Sequence, residues 1–273
     1  MKTMARGQAA AFSVVCVLAA SCVSGYAQRR GGQAPQGERR REPESAAARR
    51  IQTRAYLFEP TNEKIEYAVF VSTKVKKEKK SPLVVALHGT NVPPRQMLGF
   101  VADAAQDGGY IVVAPMGYAL DGWYGIRGRL PPGSPPNLAD LSEQDVMNVL
   151  ALARKEFDVD DRRIYLLGQS MGGAGALYLG VKHRQVWAAV GATAPAAGGL
   201  SPASLEPAAA VPMVLVHGDA DEAVSVSQTR RWAEQMRELM MKYEYYEIRG
   251  GGHRDAIIVG APKVFAFFDK HSK

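Results

Sequence analysis

Cysteine is almost absent from this chain of 273 residues. Its two cysteines, Cys16 and Cys22, both lie within residues 1–27, which we predict to be a removable leader. Removal of that leader would leave no thiol in the remaining chain. Disulfide bonds, cysteine-ligated metal sites and a cysteine nucleophile are therefore not expected in the mature protein.

Net charge is also scarce in the part of the chain that can fold. The formal charge of the whole sequence is +7. Residues 1–27 contribute +2 through Lys2 and Arg6, residues 28–50 contribute +4 through seven Arg and three Glu, and residues 51–273 keep only +1. Nucleic-acid-binding domains carry a basic patch on the fold itself, because phosphate contacts supply most of their affinity. We therefore expect no nucleic-acid partner.

The N-terminal residues have the pattern of an export signal. Two basic residues precede an apolar stretch at 9–20, and Gly25 and Ala27 supply the small residues of a cleavage site. We predict cleavage after Ala27 and a secreted or periplasmic protein. Lipoprotein processing at Cys22 is an alternative, although Ala19 stands where Leu or Val is usual. An uncleaved anchor is a third, but the apolar stretch is short for a span, so we expect no stable membrane span.

Residues 28–50 have a composition unlike the rest of the chain. They lack aromatic and β-branched residues and are rich in Arg, Gly, Pro and Glu. Such a segment cannot bury enough apolar surface to order itself, so we predict a flexible, basic linker. Contact of its Arg run with anionic lipid or cell wall is the alternative.

Residues 51–273 alternate strand and helix patterns, which predicts one α/β domain with a mostly parallel central sheet flanked by helices. Short runs that are almost wholly apolar are typical of strands buried on both faces. The spacing of Ser142 and Asp145 is that of a capping box, which predicts a helix start there. The predicted strands are 56–59 and 65–72 as an antiparallel pair, then 83–87, 111–114, 164–167, 187–192, 213–216 and 243–248. The other predicted helices are 95–105, one beginning near 170, 229–241 and 262–270.

The strongest functional pattern is Gly168-Gln169-Ser170-Met171-Gly172, placed between a predicted strand and a predicted helix. A turn this tight strains the backbone of its central residue and leaves no room for side chains beside it, so glycines flank the serine. The hydroxyl would stand at the head of a helix, where the positive end of the dipole favours developing negative charge. This context predicts a nucleophilic serine; a serine that merely caps the helix is the alternative.

A serine hydroxyl needs a base within hydrogen-bond reach and a carboxylate that orients that base. The chain has five histidines. His183 and His271 lie among basic residues near predicted helix ends and are expected to be solvated. His88 and His217 each precede a glycine at the end of a buried strand and are expected to bond loop backbone. His253, in the Gly-rich loop after the last strand, is the predicted base.

The acid is expected between the serine and the histidine in chain order, just after the strand at 213–216. Asp219, Asp221 and Glu222 follow that strand. We predict Asp221 as the acid, because Asp219 directly follows a glycine and suits an Asx-type turn closed by its own carboxylate. Glu222 is expected to be solvated.

An oxyanion hole needs two backbone N–H groups. The residue after the nucleophile, Met171, is the first predicted donor. The second is expected in the loop after the strand at 83–87, where Thr90 is the first choice and Asn91 the second.

Four runs of the sequence together resemble a known family: VVALHG at 84–89, RIYLLGQSMGGAGALYLG at 163–180, LVHGDADEAV at 215–224 and GGGH at 250–253. They are similar to secreted serine esterases of the polyhydroxybutyrate depolymerase and feruloyl esterase type, and to the related catalytic domain of prolyl oligopeptidase. The resemblance covers about residues 54–270 and implies the α/β-hydrolase fold.

In these relatives the serine, aspartate and histidine of the last three runs form a catalytic triad, which implies Ser170, Asp221 and His253 here. The resemblance implies hydrolysis of carboxylic esters without metal or organic cofactor. A peptidase on the same scaffold and a catalytically silent binding module are the alternatives.

The spacing of the later strands bears on the substrate. Only about twenty residues separate the predicted strands 187–192 and 213–216, too few for a separate lid domain. An open site suits bulky or polymer-attached esters such as plant cell-wall acyl groups, so the expected substrate is a small-molecule or polymer-attached ester. Trp123 and Tyr124, among Gly and Pro at 116–136, are predicted to line that site; anchoring of these rings in the core is the alternative.

Overall fold

The structure, a computed structural model, describes residues 44–273. The predicted signal peptide and most of the predicted linker lie outside these residues. The strands of the described residues are β1 (Gln52–Phe58), β2 (Glu63–Val71), β3 (Ser81–Leu87), β4 (Ile111–Pro115), β5 (Val159–Gln169), β6 (Ala189–Thr193), β7 (Met213–Gly218) and β8 (Tyr243–Ile248). The α-helices are α1 (Pro94–Gly108), α2 (Leu138–Glu156), α3 (Met171–Lys182), α4 (Val226–Glu238), α5 (Asp255–Ile258) and α6 (Ala261–Asp269).

These strands form one eight-stranded sheet within the described residues, in the order β1-β2-β4-β3-β5-β6-β7-β8. β1, β2 and β4 pair antiparallel, and every pairing from β4 through β3 to β8 is parallel. The predicted α/β-hydrolase fold is confirmed. Residues 194–212, which join β6 to β7, contain a 3-10 helix at Pro202–Ala208 and no separate lid.

The sheet is covered on both faces, which explains the continuous apolar runs of its central strands. In β3, Leu83, Val85 and Leu87 belong to the core cluster that includes buried residues of α2, α3 and α4, whereas Val84 and Ala86 belong to the cluster that includes buried residues of α1 and α6. Successive side chains of a strand point to opposite faces, so a strand between two helical layers needs apolar residues at every position. None of the helices in residues 44–273 is long and apolar enough to cross a membrane.

Two predictions about local structure are corrected. Ser142 and Asp145 do not start a helix: α2 begins at Leu138, and both residues lie on its buried face. Residues 44–50, placed in the flexible linker, pack on the domain: Ala47 and Ala48 are 6% and 4% exposed, in the same core cluster as α1. Small apolar side chains can fill a shallow gap in a core that longer ones would overfill.

Candidate active site

The predicted nucleophile stands in a strained turn between β5 and α3. Ser170 has φ 59° and ψ −118°, a backbone conformation that residues other than glycine rarely adopt. Its N–H donates to the Thr193 carbonyl at 2.9 Å, and its own carbonyl accepts the N–H groups of Ala174 and Ala196, each at 3.0 Å. Three backbone hydrogen bonds thus hold the residue in a conformation that would otherwise relax.

The two glycines of the motif are required by close backbone contacts. A Cβ on Gly168 would lie 1.9 Å from the Gly172 carbonyl oxygen, and a Cβ on Gly172 would lie 2.2 Å from the Leu87 carbonyl oxygen. Neither contact can be relieved by moving a side chain, because the obstructing atoms belong to the backbone. The glycines therefore allow the turn that presents Ser170.

The predicted acid and base are in direct contact. Asp221 follows β7, His253 lies between β8 and α5, and the Nδ1 of His253 is 2.6 Å from Asp221 Oδ2. The Asp221 side chain is fully buried, whereas that of His253 is 22% exposed. An ionised carboxylate only accepts hydrogen bonds, so Nδ1 carries the proton and the Nε2 lone pair is left to act as a base.

Backbone groups keep the Asp221 carboxylate ionised. Burial raises the pKa of Asp221, but hydrogen bonds from the Val224 N–H, the His253 ring and the Ala223 N–H outweigh burial and hold that pKa below its ordinary value. The Ala223 and Val224 N–H groups donate to Oδ1 at 2.8 and 2.9 Å. The Asx-type turn expected at Asp219 is thus made by Asp221 itself.

Ser170 lies at the same edge of the sheet as this pair. The strands β5, β7 and β8 are parallel, and Ser170, Asp221 and His253 each come shortly after the C-terminal end of one of them. Among the described residues, neither the Ser170 hydroxyl nor His253 Nε2 makes a hydrogen bond. Such bonds commonly tighten only when substrate binds.

The two predicted oxyanion donors are N–H groups beside Ser170. Met171 is the first residue of α3, and the N–H groups of a first helical turn have no partner within the helix. A Cβ on Gly89 would lie 3.2 Å from the Ser170 Cβ, which places the loop after β3 against the serine. In that loop the Asn91 N–H donates to the Leu120 carbonyl, whereas the Thr90 N–H bonds to none of the described residues.

Tyr124 does not line an open site. The residue is 1% exposed, its hydroxyl donates to the His88 carbonyl at 3.1 Å, and a Cβ on Gly175 would lie 2.6 Å from the ring. The prediction of Tyr124 as a substrate contact is corrected: it anchors the loop after β4 in the core. The burial of this ring depends in part on Gly175, which is far away in the sequence.

Trp123 keeps part of its surface exposed and lies against an arginine. The guanidinium carbon of Arg129 is 4.6 Å from the centre of the Trp123 ring, and a Cβ on Gly199 would lie 3.2 Å from Arg129 Cδ. Gly199 belongs to the loop after β6, whose Ala196 bonds Ser170. The contact ties Trp123 and Arg129 to the loop that borders the serine.

The residues mistaken for a capping box hold this loop in place. Ser142 Oγ accepts the Tyr124 N–H at 3.0 Å. The Asp145 carboxylate accepts the Tyr118 N–H at 3.0 Å and the Tyr56 hydroxyl at 2.6 Å. Burial raises the pKa of Asp145, although these hydrogen bonds act in the opposite direction.

His217 was expected to bond loop backbone alone, but it also bonds the predicted acid. His217, near the end of β7, places its Nε2 3.0 Å from Asp221 Oδ2 as well as 3.0 Å from the Val224 carbonyl oxygen. The spacing of a histidine four residues before the acid is the signal that could have found it.

Within residues 44–273, no group of three His, Cys, Asp or Glu side chains is placed to hold a metal ion.

Comparison with known proteins identifies the family of this chain. The family model named Esterase matches residues 59–257, a span that includes Ser170, Asp221 and His253. The chain belongs to the Esterase family.

The chain is similar to the bifunctional acetylxylan esterase/xylanase XynS20E of Neocallimastix patriciarum, with 26% identity over 160 residues, 58% of this chain and 22% of that protein. It thus spans about a fifth of that relative's length. A thermostable esterase of known structure has a TM-score of 0.65 at 22% identity, over 83% of this chain and 64% of that one. A CE1 ferulic acid esterase from Anaeromyces mucronatus has a TM-score of 0.60 at 18% identity, over 81% and 90%. At these identities the structural likeness shows the fold.

Proposed function

We propose that this chain is a carboxylic ester hydrolase, which cleaves its substrate through a covalent acyl intermediate on Ser170. His253 is the general base and acid, and Asp221 orients its ring. The N–H groups of Met171 and Thr90 bind the oxyanion. The observation that carries the proposal is the 2.6 Å hydrogen bond from His253 Nδ1 to the buried Asp221 carboxylate, at the sheet edge where Ser170 stands in its strained turn.

The reaction proceeds in two balanced halves. His253 Nε2 takes the hydroxyl proton as Ser170 Oγ bonds to the ester carbonyl carbon, and the carbonyl oxygen becomes an oxyanion. The carbon–oxygen bond to the alcohol then breaks, and the leaving alcohol takes the proton from His253. Water repeats the same steps on the acyl-enzyme, which releases the acid and restores Ser170.

The oxyanion donors are supported by the bonds that their neighbours make. The Asn91 N–H is already used by the Leu120 carbonyl, which leaves Thr90 as the donor of the loop after β3. Met171 and the first turn of α3 present N–H groups that have no partner within the helix. Removal of one such donor typically lowers kcat by about 10²–10³.

We further propose that the substrates are acyl groups esterified to a bulky or polymeric alcohol. The segment between β6 and β7 is too short to form a lid domain, so it does not cover the sheet edge that carries Ser170. The relatives named for acetylxylan and ferulic acid esters support the same class. Trp123, partly exposed and stacked with Arg129, is the proposed wall of the site.

The experiment is a labelling assay joined to a substrate panel. A fluorophosphonate probe should label the native chain on Ser170 and leave the Ser170→Ala variant unlabelled. Ser201→Ala, an exposed serine in the loop after β6, is the matched control and should label normally. Acetyl and feruloyl esters of sugars should be cleaved faster than peptides of the same size. Absence of label on Ser170 would reject the covalent mechanism, and preferred cleavage of the peptides would support the peptidase alternative.

We propose export of the enzyme from its N-terminal sequence pattern. Mass spectrometry of the protein recovered outside the cytoplasm should find a chain that begins at Gln28. A chain that begins at a lipid-modified Cys22 would show lipoprotein processing instead.

A further inference from the structure

His217 is a buried histidine with a complete set of partners. Its side chain is fully buried. Nε2 lies 3.0 Å from Asp221 Oδ2 and 3.0 Å from the Val224 carbonyl oxygen, and Nδ1 lies 2.6 Å from the Thr229 hydroxyl, in the first turn of α4. Each nitrogen therefore faces a polar atom, and no water is needed to satisfy the ring.

These partners define the protonation state of the ring. Both partners of Nε2 only accept hydrogen bonds, so Nε2 carries the proton. Burial lowers the pKa of His217, although the Val224 carbonyl and Asp221 oppose the effect. The ring is therefore neutral near pH 7, Nδ1 has a free lone pair, and the Thr229 hydroxyl must donate to it. Thr229 thus selects the tautomer in which His217 donates to Asp221.

One carboxylate oxygen consequently serves two histidines. Asp221 Oδ2 accepts from His253 Nδ1 at 2.6 Å and from His217 Nε2 at 3.0 Å. Oδ1 is held by the Ala223 and Val224 N–H groups. The two backbone hydrogen bonds hold Oδ1 but still allow the carboxylate to tilt about that atom. The hydrogen bond from His217 fixes Oδ2, the oxygen that accepts from His253.

We propose that His217, held by Thr229, is a positioning residue that fixes Asp221 Oδ2 and, through it, the orientation of the His253 ring. This inference rests on the proposed function, in which His253 is the base. His217 does not touch the reacting atoms; it acts through the carboxylate.

The nearby carboxylate other than Asp221, that of Glu247, is paired with other groups and does not accept a hydrogen bond from His217. Glu247 of β8 is the register partner of His217, but its carboxylate is bonded to Arg230 of α4 and to the Tyr245 hydroxyl. The hydrogen bond from Arg230 lowers the pKa of Glu247 to about 2, so this carboxylate stays ionised and paired. Asp221 and His253 face the ring from the loops after β7 and β8, and the neighbouring β6 residues Ala192 and Thr193 are uncharged.

Thr229→Val removes the hydroxyl and keeps the shape of the side chain, and Thr229→Ser keeps the hydroxyl. Without the donor, the His217 proton can move to Nδ1, and Asp221 loses one of its hydrogen bonds. We expect kcat to fall by about 10-fold in Thr229→Val with KM changed by less than about twofold, since loss of a hydrogen bond to a charged group has an effect of this order. Thr229→Ser should recover most of the loss.

The second pair of variants acts on His217 itself. Gln can place an amide N–H near the position of Nε2, whereas Leu fills the space without a donor. We expect kcat to fall by about 10²-fold in His217→Leu and to be largely restored in His217→Gln. A carboxylate with one donor fewer attracts the protonated His253 ring more strongly, so the midpoint of the kcat/KM profile should also move to higher pH by about 0.5–1 unit in His217→Leu.

All four variants are compared by thermal unfolding, kcat, KM and the pH profile. A folded His217→Leu with the native kcat and pH midpoint would overturn the proposal. So would a loss of activity that leaves the midpoint unmoved and that Gln does not restore, because that pattern belongs to a packing defect. Native enzyme that shows neither ester cleavage nor fluorophosphonate labelling of Ser170 would reject the proposed function, and this inference with it, before any variant is measured.

Discussion

The carboxylate of Asp219 accepts a hydrogen bond from the N–H of Gly250 at 2.6 Å. Two residues later, Asp221 bonds the His253 ring of the same Gly-rich loop. The two aspartates therefore have different tasks: Asp219 holds the backbone where the loop leaves β8, and Asp221 holds the imidazole. A Cβ on Gly218 would lie 2.1 Å from the Gly251 carbonyl oxygen, so the two loops also touch through backbone.

Asp221→Asn and Asp219→Asn should differ sharply in activity. An amide at position 221 keeps the shape of the side chain but favours the wrong tautomer of His253, so we expect kcat to fall by about 10⁴. An amide at position 219 still offers an oxygen to the Gly250 N–H, and we expect a fall of less than about tenfold. Both variants are measured on one activated ester. A crippled Asp219→Asn beside an active Asp221→Asn would show that the acid has been assigned to the wrong residue.

The rate should depend on pH through His253. Only the neutral ring can take the Ser170 proton, so kcat/KM should rise with pH to a plateau between about pH 5 and 9. The pKa of Asp221 lies below its ordinary 3.8, so the carboxylate stays ionised throughout this window. The profile is measured from about pH 5 to 9 at constant ionic strength on an uncharged ester, with Ser170→Ala as the blank. A flat profile would argue against a histidine base.

Stability should also depend on pH, through two buried histidines. Burial lowers the pKa values of His88 and His217 below the ordinary 6.5. Below about pH 6.5 the unfolded chain therefore binds more protons than the folded one, and the free energy of unfolding falls as the pH drops toward the folded-state pKa values. Urea unfolding at several pH values between about 5 and 7.5 measures this slope. His217→Gln cannot titrate at this position and should have a shallower slope, and a native slope of zero would contradict the prediction.

Much of the fold could be predicted from the sequence because its signals are local. The strand at 83–87 and the Gly-x-Ser-x-Gly turn each need a particular run of residues, and the structure has β3 and the turn at Ser170 where the pattern placed them.

Most of the missed features depend on contacts between segments that are far apart in the sequence. Ser142 and Asp145 have the spacing of a capping box. Two polar residues inside a helix that bond a neighbouring loop from the same face have the same spacing. Tyr124 is buried because Gly175 leaves room for its ring. His217 looked like any histidine at a strand end, and its bond to Asp221 exists only because the chain turns back within four residues. Patterns of residue type carry no direct record of such pairings.

Residues 44–50 give the last prediction, which concerns stability. A chain that begins at residue 51 should melt several degrees below one that begins at residue 44. The longer chain buries Ala47 and Ala48 and bonds Arg50 to the Val71 carbonyl; it also pairs Arg95 with Glu44 at 2.9 Å. The ion pair is exposed and contributes little, so the two alanines and the Arg50 bond carry most of the difference, about 1–2 kcal/mol.

For a domain of this size, 1 kcal/mol moves Tm by about 2–4 °C, so the difference between the two chains is measurable by calorimetry. Both chains keep Ser170, Asp221 and His253, and both should have the same kcat because the segment packs beside α1 rather than at the sheet edge that carries the serine. Ala48→Gly in the longer chain is a milder variant that should reproduce part of the fall in Tm, since it removes one buried methyl group. Equal Tm values for the two chains would show that residues 44–50 contribute nothing to the stability of the domain.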